Sequence, residues 1–232
     1  MKTVSISSGL KTRLFSQAAI LKGLSQDALN EMTQLTVARQ YQKNEIIFQA
    51  NEPTAIFILV FEGLIRVSRY SATGKRLTYL LAGPGEPIDL VRPFTGDRRE
   101  NIAEAVKEST IVCINREEFL QFAVRHPQLV INIIGTLGQA VDSSNSRILD
   151  MLDKKVIERL KRVLHSLYKK FGPVLNFTAV EIAELAGTTT ESSLRVLGTL
   201  CQDGIIEKSR GQIHILRAEM LPEYDDETAM WI

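Results

Sequence analysis

Apolar residues recur at helical spacing near the start of the chain, at Leu14, Ala18 and Leu21, and again after Ser25 at Leu29, Met32 and Leu35. From about Val37 the period shortens. The segments Ile46 to Phe48, Ala55 to Phe61, Leu64 to Tyr70, Arg76 to Leu81, Ile102 to Val106 and Thr110 to Ile114 are brief and rich in Ile, Val, Leu, Phe and Tyr. Asn51-Glu52-Pro53, Glu62-Gly63, Ala72-Thr73-Gly74 and Gly83-Pro84-Gly85 punctuate them as turns. Short strands with regular turns predict an antiparallel sandwich or barrel.

Asn115 is placed to cap a short helix through Glu118, and Pro127 opens a long run free of Pro that reaches about Met151. In heptads, Val130, Ile134, Leu137, Val141, Ser144, Ile148 and Met151 share one seam with a single polar member. A helix of this length exceeds what covering a barrel needs, so the seam predicts dimerisation. Asp153, followed by Lys154, starts a further helix that runs to about Lys170 and ends at Phe171-Gly172-Pro173. Beyond it come two short helices, Thr178 to Ala186 and Thr189 to Gln202, and two strand-like pieces, Ile205 to Lys208 and Gln212 to Leu216, joined by Ser209-Arg210-Gly211.

The pair of short helices has what a helix-turn-helix requires. Thr178 caps the first, Ile182, Ala183 and Ala186 form its inner face, and Gly187 permits the sharp turn. Val196, Leu197 and Leu200 form the buried face of the second. Its first turns present Thr189, Thr190, Glu191, Ser192 and Arg195 to phosphates and base edges. Glu191 and Arg195 stand one helical turn apart. An arginine donates two hydrogen bonds to guanine, and a carboxylate accepts from the cytosine amino group while orienting the arginine. The plain alternative is a surface ion pair stabilising the helix by about 0.2–0.5 kcal/mol.

Charge supports the nucleic-acid reading through its distribution. The net charge is only +1, but Lys154 to Arg217 holds 11 basic and 6 acidic residues, and Ala218 to Ile232 holds five acids and no base. Composition is that of a water-soluble globular protein, with 44% hydrophobic and 24% charged residues. The N-terminus lacks the pattern of a secretory signal, so a cytoplasmic location and no membrane association are expected. Cys113 and Cys201 lie far apart within apolar patterns, which predicts no disulfide and no metal site. No nucleophile with a partnered His and no phosphate-binding loop appears, so an enzyme is not expected.

Over residues 14 to 220 the chain resembles the CRP/FNR family, that of the cyclic-AMP receptor protein and the fumarate and nitrate reduction regulator. The matching pieces are Tyr41-Gln-Lys-Asn-Glu-Ile-Ile-Phe48 with Glu52-Pro53, the strands around Glu62-Gly63, Gly83-Pro84-Gly85-Glu86, and Ile182-Ala-Glu-Leu-Ala-Gly187 through Asp203-Gly204-Ile205-Ile206. The resemblance implies an α+β architecture: an N-terminal double-stranded β-helix (jelly-roll) barrel like that of cyclic-nucleotide-binding domains, a long dimerisation helix and a C-terminal winged helix-turn-helix. The corresponding domains are 1–126 for the sensor, 127–152 for the dimer helix and hinge, 153–221 for DNA binding, and 222–232 as an acidic tail.

By the same resemblance, Glu191 and Arg195 read a G·C pair in a TGA-containing half-site, presented twice by a homodimer beside a promoter, with RNA polymerase as a partner. The expected DNA-facing set is Thr178, Thr189, Thr190, Glu191, Ser192, Leu194 and Arg195. Thr190 replaces the Arg usual in the cyclic-AMP branch. Leu194 replaces the Ser usual in the fumarate-nitrate branch and is suited to a thymine methyl. In the sensor, Arg99 falls at the position of the family's phosphate-binding arginine, but Glu100 takes the neighbouring hydroxyl position, and Asp89-Leu90 stands where Gly-Glu holds the ribose. A carboxylate repels phosphate and Leu cannot bond a ribose, so cyclic AMP is not expected. The first 110 residues contain no Cys, which excludes the iron-sulfur sensor. No cofactor is expected; heme, with His126 as axial ligand, is the alternative. Arg92, Phe94, Arg98 and Arg99 are the candidate site for an anionic or aromatic small-molecule effector, against a solvated loop. The competing functional class is a ligand-binding or protein-interaction module of this fold that does not bind DNA specifically.

Overall fold

A computed structural model describes residues 1–222; of the expected acidic tail, all but Pro222 lies outside the described residues. In chain order the elements are β1 (Lys2–Val4), α1 (Ser8–Gln17), α2 (Gln26–Leu35), β2 (Val37–Tyr41), β3 (Ile46–Phe48), β4 (Ile56–Glu62), β5 (Ile65–Tyr70) and β6 (Arg76–Ala82). Then follow α3 (Arg92–Thr95), β7 (Ile102–Ala105), β8 (Ser109–Asn115), α4 (Arg116–Arg125), α5 (Pro127–Asp153) and α6 (Val156–Phe171). The C-terminal part adds β9 (Val174–Leu175), α7 (Ala179–Ala186), α8 (Thr190–Gln202), β10 (Ile206–Ser209) and β11 (Gln212–Ile215). The described chain forms two compact units, one of residues 1–69 with 80–139, the other of residues 70–79 with 140–222. The division falls inside α5.

Two four-stranded sheets organise the barrel, in the orders β1-β2-β8-β4 and β3-β7-β5-β6. β8 lies antiparallel between β2 and β4, pairing Cys113 with both Val37 and Ile58. The core residues Phe57, Leu59, Val60, Ile65, Val67, Ile111 and Ile114 are fully buried, and burial of each large aliphatic or aromatic side chain contributes about 1.5–3 kcal/mol. Phe57 stacks on Phe119 of α4 with ring centroids 4.1 Å apart, which fastens that helix to the sheet. Gly63 turns β4 into β5 at φ +103°, and a Cβ there would lie 2.6 Å from the Cα of Ser109. Only glycine fits that approach.

The N-terminal helix is shorter than its apolar spacing predicts. α1 ends at Gln17, Ala18 is extended, and Ala19–Leu21 forms a single 3-10 turn. Ile20 and Leu21 are buried in this arrangement, and Ala18 packs 3.5 Å from where a side chain on Gly85 would begin. Tertiary burial therefore overrides the helical period.

In the second unit α6, α7 and α8 enclose Leu160, Leu164, Leu167, Ile182, Leu185, Leu197 and Leu200, and β9 joins the β10-β11 hairpin as its third strand. The last carbonyls of α7, which no helical N–H reaches, are taken by arginines: Arg147 donates to Leu185 O at 2.9 Å and Arg159 to Ala186 O at 3.3 Å. Burial and the neighbouring Arg162 push the Arg147 guanidinium down to about 10. Arg162 in turn holds Asp150 at 2.6 Å, and Lys154 reaches the same carboxylate at 3.1 Å. Arg76, in the 70–79 segment, pairs with Glu184 of α7 at 2.9 Å.

Candidate nucleic-acid interface

α7 and α8 are each begun by a threonine. Thr178 Oγ1 accepts from the Glu181 N–H at 3.3 Å, and Glu181 returns the favour by accepting from the Thr178 N–H at 2.8 Å, a complete capping box. Thr189 Oγ1 accepts from the Ser192 N–H at 3.2 Å and donates to Ser192 Oγ at 3.0 Å. Between the helices Gly187 adopts the left-handed conformation at φ 60°, ψ 44°, and Thr188 N–H closes the turn on Ala183 O. The angle at which α8 leaves α7 is thus set by hydrogen bonds and one glycine.

This divides the predicted DNA-facing residues into two groups. Thr178, Thr189 and Ser192 use their side chains or amides for capping. Thr190, Glu191, Leu194 and Arg195 are exposed on the outer face of α8, while Val196, Leu197 and Leu200 are buried beneath it. Glu191 and Arg195 form no ion pair with each other, and neither side chain has a partner among the described residues. The plain surface pair allowed by their spacing is therefore not made. Beside α8, Lys208 near the end of β10 and Arg210 in the β10-β11 turn are exposed, two cations outside the expected DNA-facing set. Their signal was the Ser209-Arg210-Gly211 turn.

The four predicted effector residues come near one another but are differently engaged. Arg92 pairs with Asp97 at 3.2 Å and Glu100 at 2.9 Å, and Glu100 also holds Arg69 at 2.8 Å. Arg98 donates to Asn51 O at 2.6 Å. Phe94 meets Phe119 edge to face at 5.4 Å. Arg99 points inward, over the Phe48 ring and toward Asp89. Asp89, Asp97, Phe48 and the Ile56 carbonyl were missing from the predicted set; Phe48 and Ile56 are distant in sequence, and the loop meets their part of the chain through the backbone hydrogen bonds of Arg99 with Asn51 and Glu52. His126 lies 3.0 Å from Glu31 through Nε2 and against Phe122 at 4.4 Å. Its hydrogen bond and that of Arg125 hold the Glu31 carboxyl below its ordinary range. Among the described residues no group of three or more His, Cys, Asp or Glu is arranged to hold a metal, and no helix is long and apolar enough to cross a membrane.

On α5, Ile134, Val141 and Ile148 are 62%, 58% and 57% exposed, with Ile131 and Leu152 also open on the same side. Met151 and Ser144 are exposed as well, whereas Val130 and Leu137 are half-buried.

Residues 38–126 match the cyclic nucleotide-binding domain and residues 158–224 the Crp-like helix-turn-helix domain, together about two thirds of the chain. The chain is similar to the cyclic AMP receptor protein of Thermus thermophilus, with 26% identity over 88% of this chain and 95% of that protein. A probable transcriptional regulator, flp, of Lacticaseibacillus casei is also 26% identical, over 88% of this chain and 94% of that one. Among solved structures, the catabolite activator protein of Thermus thermophilus aligns at a TM-score of 0.54 with 26% identity, covering 88% of this chain and 96% of that one. The c-di-GMP-responsive global regulator CLP of Xanthomonas campestris shares the fold at a TM-score of 0.74 with 20% identity, over 82% and 99%. With a cyclic-nucleotide-binding-like β domain, a long helix and a Crp-like helix-turn-helix in one chain, the protein belongs to the CRP/FNR family of bacterial transcription regulators.

Proposed function

We propose that the protein is a homodimeric transcription regulator that reads a two-fold symmetric, TGA-containing promoter site through α8, under control of a small-molecule effector and in concert with RNA polymerase. The observation that carries this reading is the state of Glu191 and Arg195: exposed, one turn apart and unengaged, on a helix whose start is fixed by capping. Arg195 donates twice to guanine, Glu191 orients it and accepts from cytosine, Thr190 flanks them, and Leu194 packs on a thymine methyl. Lys208 and Arg210 at the wing tip add phosphate contacts, which position the domain without reading sequence. The exposed apolar stripe of α5 supports a second copy as its cover, because Ile134, Val141 and Ile148 repeat at coiled-coil spacing.

The cyclic nucleotide implied by the family does not fit this sensor. Leu90 is a buried apolar residue at the ribose position, Glu100 is paired with Arg69 and Arg92, and the Arg99 guanidinium faces an internal carboxylate. The effector is therefore of another class.

Footprinting upstream of the gene tests the DNA reading. Protection of a symmetric TGA-containing site, with affinity falling steeply as salt rises, is the expected result. Indifference to such a site, or an affinity that salt does not weaken, sinks it in favour of a protein-interaction module. Ile134→Glu with Ile148→Glu tests the dimer: sedimentation is expected to show a folded monomer that occupies half-sites weakly.

A further inference from the structure

Arg99 is a buried cation, 3% exposed. Its guanidinium carbon lies 3.9 Å over the centre of the Phe48 ring, Nη2 donates to Ile56 O at 2.9 Å, and Nη1 lies 3.5 Å from Asp89 Oδ2 without completing a hydrogen bond. The main chain on either side is pinned: Arg99 N–H donates to Glu52 O at 2.9 Å, and Arg99 O accepts from Asn51 N–H at 2.7 Å. The guanidinium is thus held inside by its own backbone pairing. Asp89 is held as firmly, because its Oδ1 accepts from the Arg92 N–H at 3.1 Å at the start of α3.

A flat cation on an aromatic floor, with one edge on a fixed carbonyl and the other turned to a carboxylate, is the construction of an oxyanion receptor. Here the anion comes from the chain itself. Burial pushes the Asp89 carboxyl up and the Arg99 guanidinium down from their ordinary values, and each is the largest charge favouring the ionised form of the other, with Glu52 adding to it at Arg99 and Arg92 at Asp89. Deleting one partner of a buried pair leaves an uncompensated charge, and the loss is larger than the net worth of the pair. The neighbouring arginines differ: Arg92 pairs with the exposed Asp97 and half-exposed Glu100, and Arg98 is itself exposed.

We propose that Asp89 is the resident anion of the sensor barrel: its carboxylate fills, from within the chain, the place at Arg99 that an external oxyanion would take. The barrel then reaches its anion-satisfied form with no small molecule at Arg99, and any effector acts elsewhere in the protein. Barrel stability and anion binding decide this, so it stands or falls separately from the DNA reading.

The experiment is thermal unfolding of the full chain and of Asp89→Ala, followed by circular dichroism at constant ionic strength, with sodium formate, acetate, inorganic phosphate or cyclic AMP as probes. Asp89→Ala is expected to unfold roughly 10 °C lower than the wild type. Formate or acetate should then restore at least half of that loss saturably, while all four probes leave the wild-type midpoint in place. A saturable rise of the wild-type midpoint with phosphate or cyclic AMP overturns the proposal, since Asp89 would then yield its place to an external anion. A variant as stable as wild type, or one that no anion restores, also overturns it. Should Asp89→Ala fail to fold, the charge-free double variant Asp89→Leu with Arg99→Met replaces it. Recovery of most of the wild-type midpoint supports the internal pair, and an unfolded double variant contradicts it.

Discussion

The arginines of the loop around α3 and the arginine exposed on α8 belong to the same residue type and occupy opposite states. Arg92, Arg98 and Arg99 each hold a carboxylate or carbonyl of their own chain. Arg195 stands exposed on α8 with no partner among the described residues. A guanidinium already facing an internal carboxylate contributes to the fold, whereas an unengaged one on a rigidly capped helix is available to an external acceptor. Sequence density of arginine therefore says less about binding than the supply of acceptors around each one.

Substitutions sharpen this contrast, beginning with the buried arginine. Arg99→Ala is expected to destabilise the protein by about 3–5 kcal/mol, because Asp89 loses its countercharge inside the barrel. The raised Asp89 carboxyl gives the loss a pH dependence. A carboxyl whose folded value lies above its unfolded value contributes most to stability below the unfolded value, and that contribution fades as pH rises through the raised one. Arg99 is the largest influence lowering that carboxyl, so in Arg99→Ala the folded value lies higher still, and the deficit should be smaller in mild acid, where Asp89 is protonated in the variant, than at neutral pH, as chemical denaturation at several pH values will measure. Arg195→Ala is expected to do the reverse: stability within about 0.5 kcal/mol of wild type, and DNA affinity reduced by about 1–3 kcal/mol. Equal stability losses in the two variants would erase the contrast.

Two smaller effects probe the scaffold that presents Arg195. Gly187→Ala places a side chain in the left-handed region, and its Cβ falls 2.6 Å from the flexible Met151 Cε. The backbone term governs, and a loss of about 1–2 kcal/mol is expected by thermal denaturation. Ser193 is wholly buried on the inner face of α8, and its hydroxyl has no hydrogen-bond partner among the described residues. Ser193→Ala should therefore be neutral or stabilise by up to about 1 kcal/mol.

The output half was the more legible in sequence because its signals are local. Thr178, Gly187 and Thr189 mark helix ends through bonds reaching only a few residues, and the helices begin and stop where those residues stand. The α5 stripe was legible in period, and Ile134, Val141, Ile148 and Met151 of the expected seam are exposed, whereas Val130 and Leu137 are half-buried. Apolar residues sit side by side at Val130-Ile131 and at Met151-Leu152, so a heptad fits either set, and the exposed set is centred on Ile134, Val141 and Ile148 with Ile131 and Leu152. The β domain resisted for a different reason. That Arg99 turns inward is decided by Phe48 and Ile56, residues on other strands, and by Asp89 across a turn. The short edge strand β1 and the break at Ala18 likewise depend on tertiary partners, since β1 exists only through its pairing with β2.

The central claim is that Arg195 reads a base. Its most direct test is a mutant cycle in DNA-binding affinity, crossing wild type and Arg195→Ala with the preferred site and a site in which the contacted G·C pairs are changed to A·T in both half-sites. Wild type should lose about 1–3 kcal/mol of binding per changed pair, and Arg195→Ala should lose most of that discrimination, keeping only what Glu191 takes from the cytosine. If Arg195→Ala still discriminates between them as wild type does, the base is read by another residue and the account is wrong.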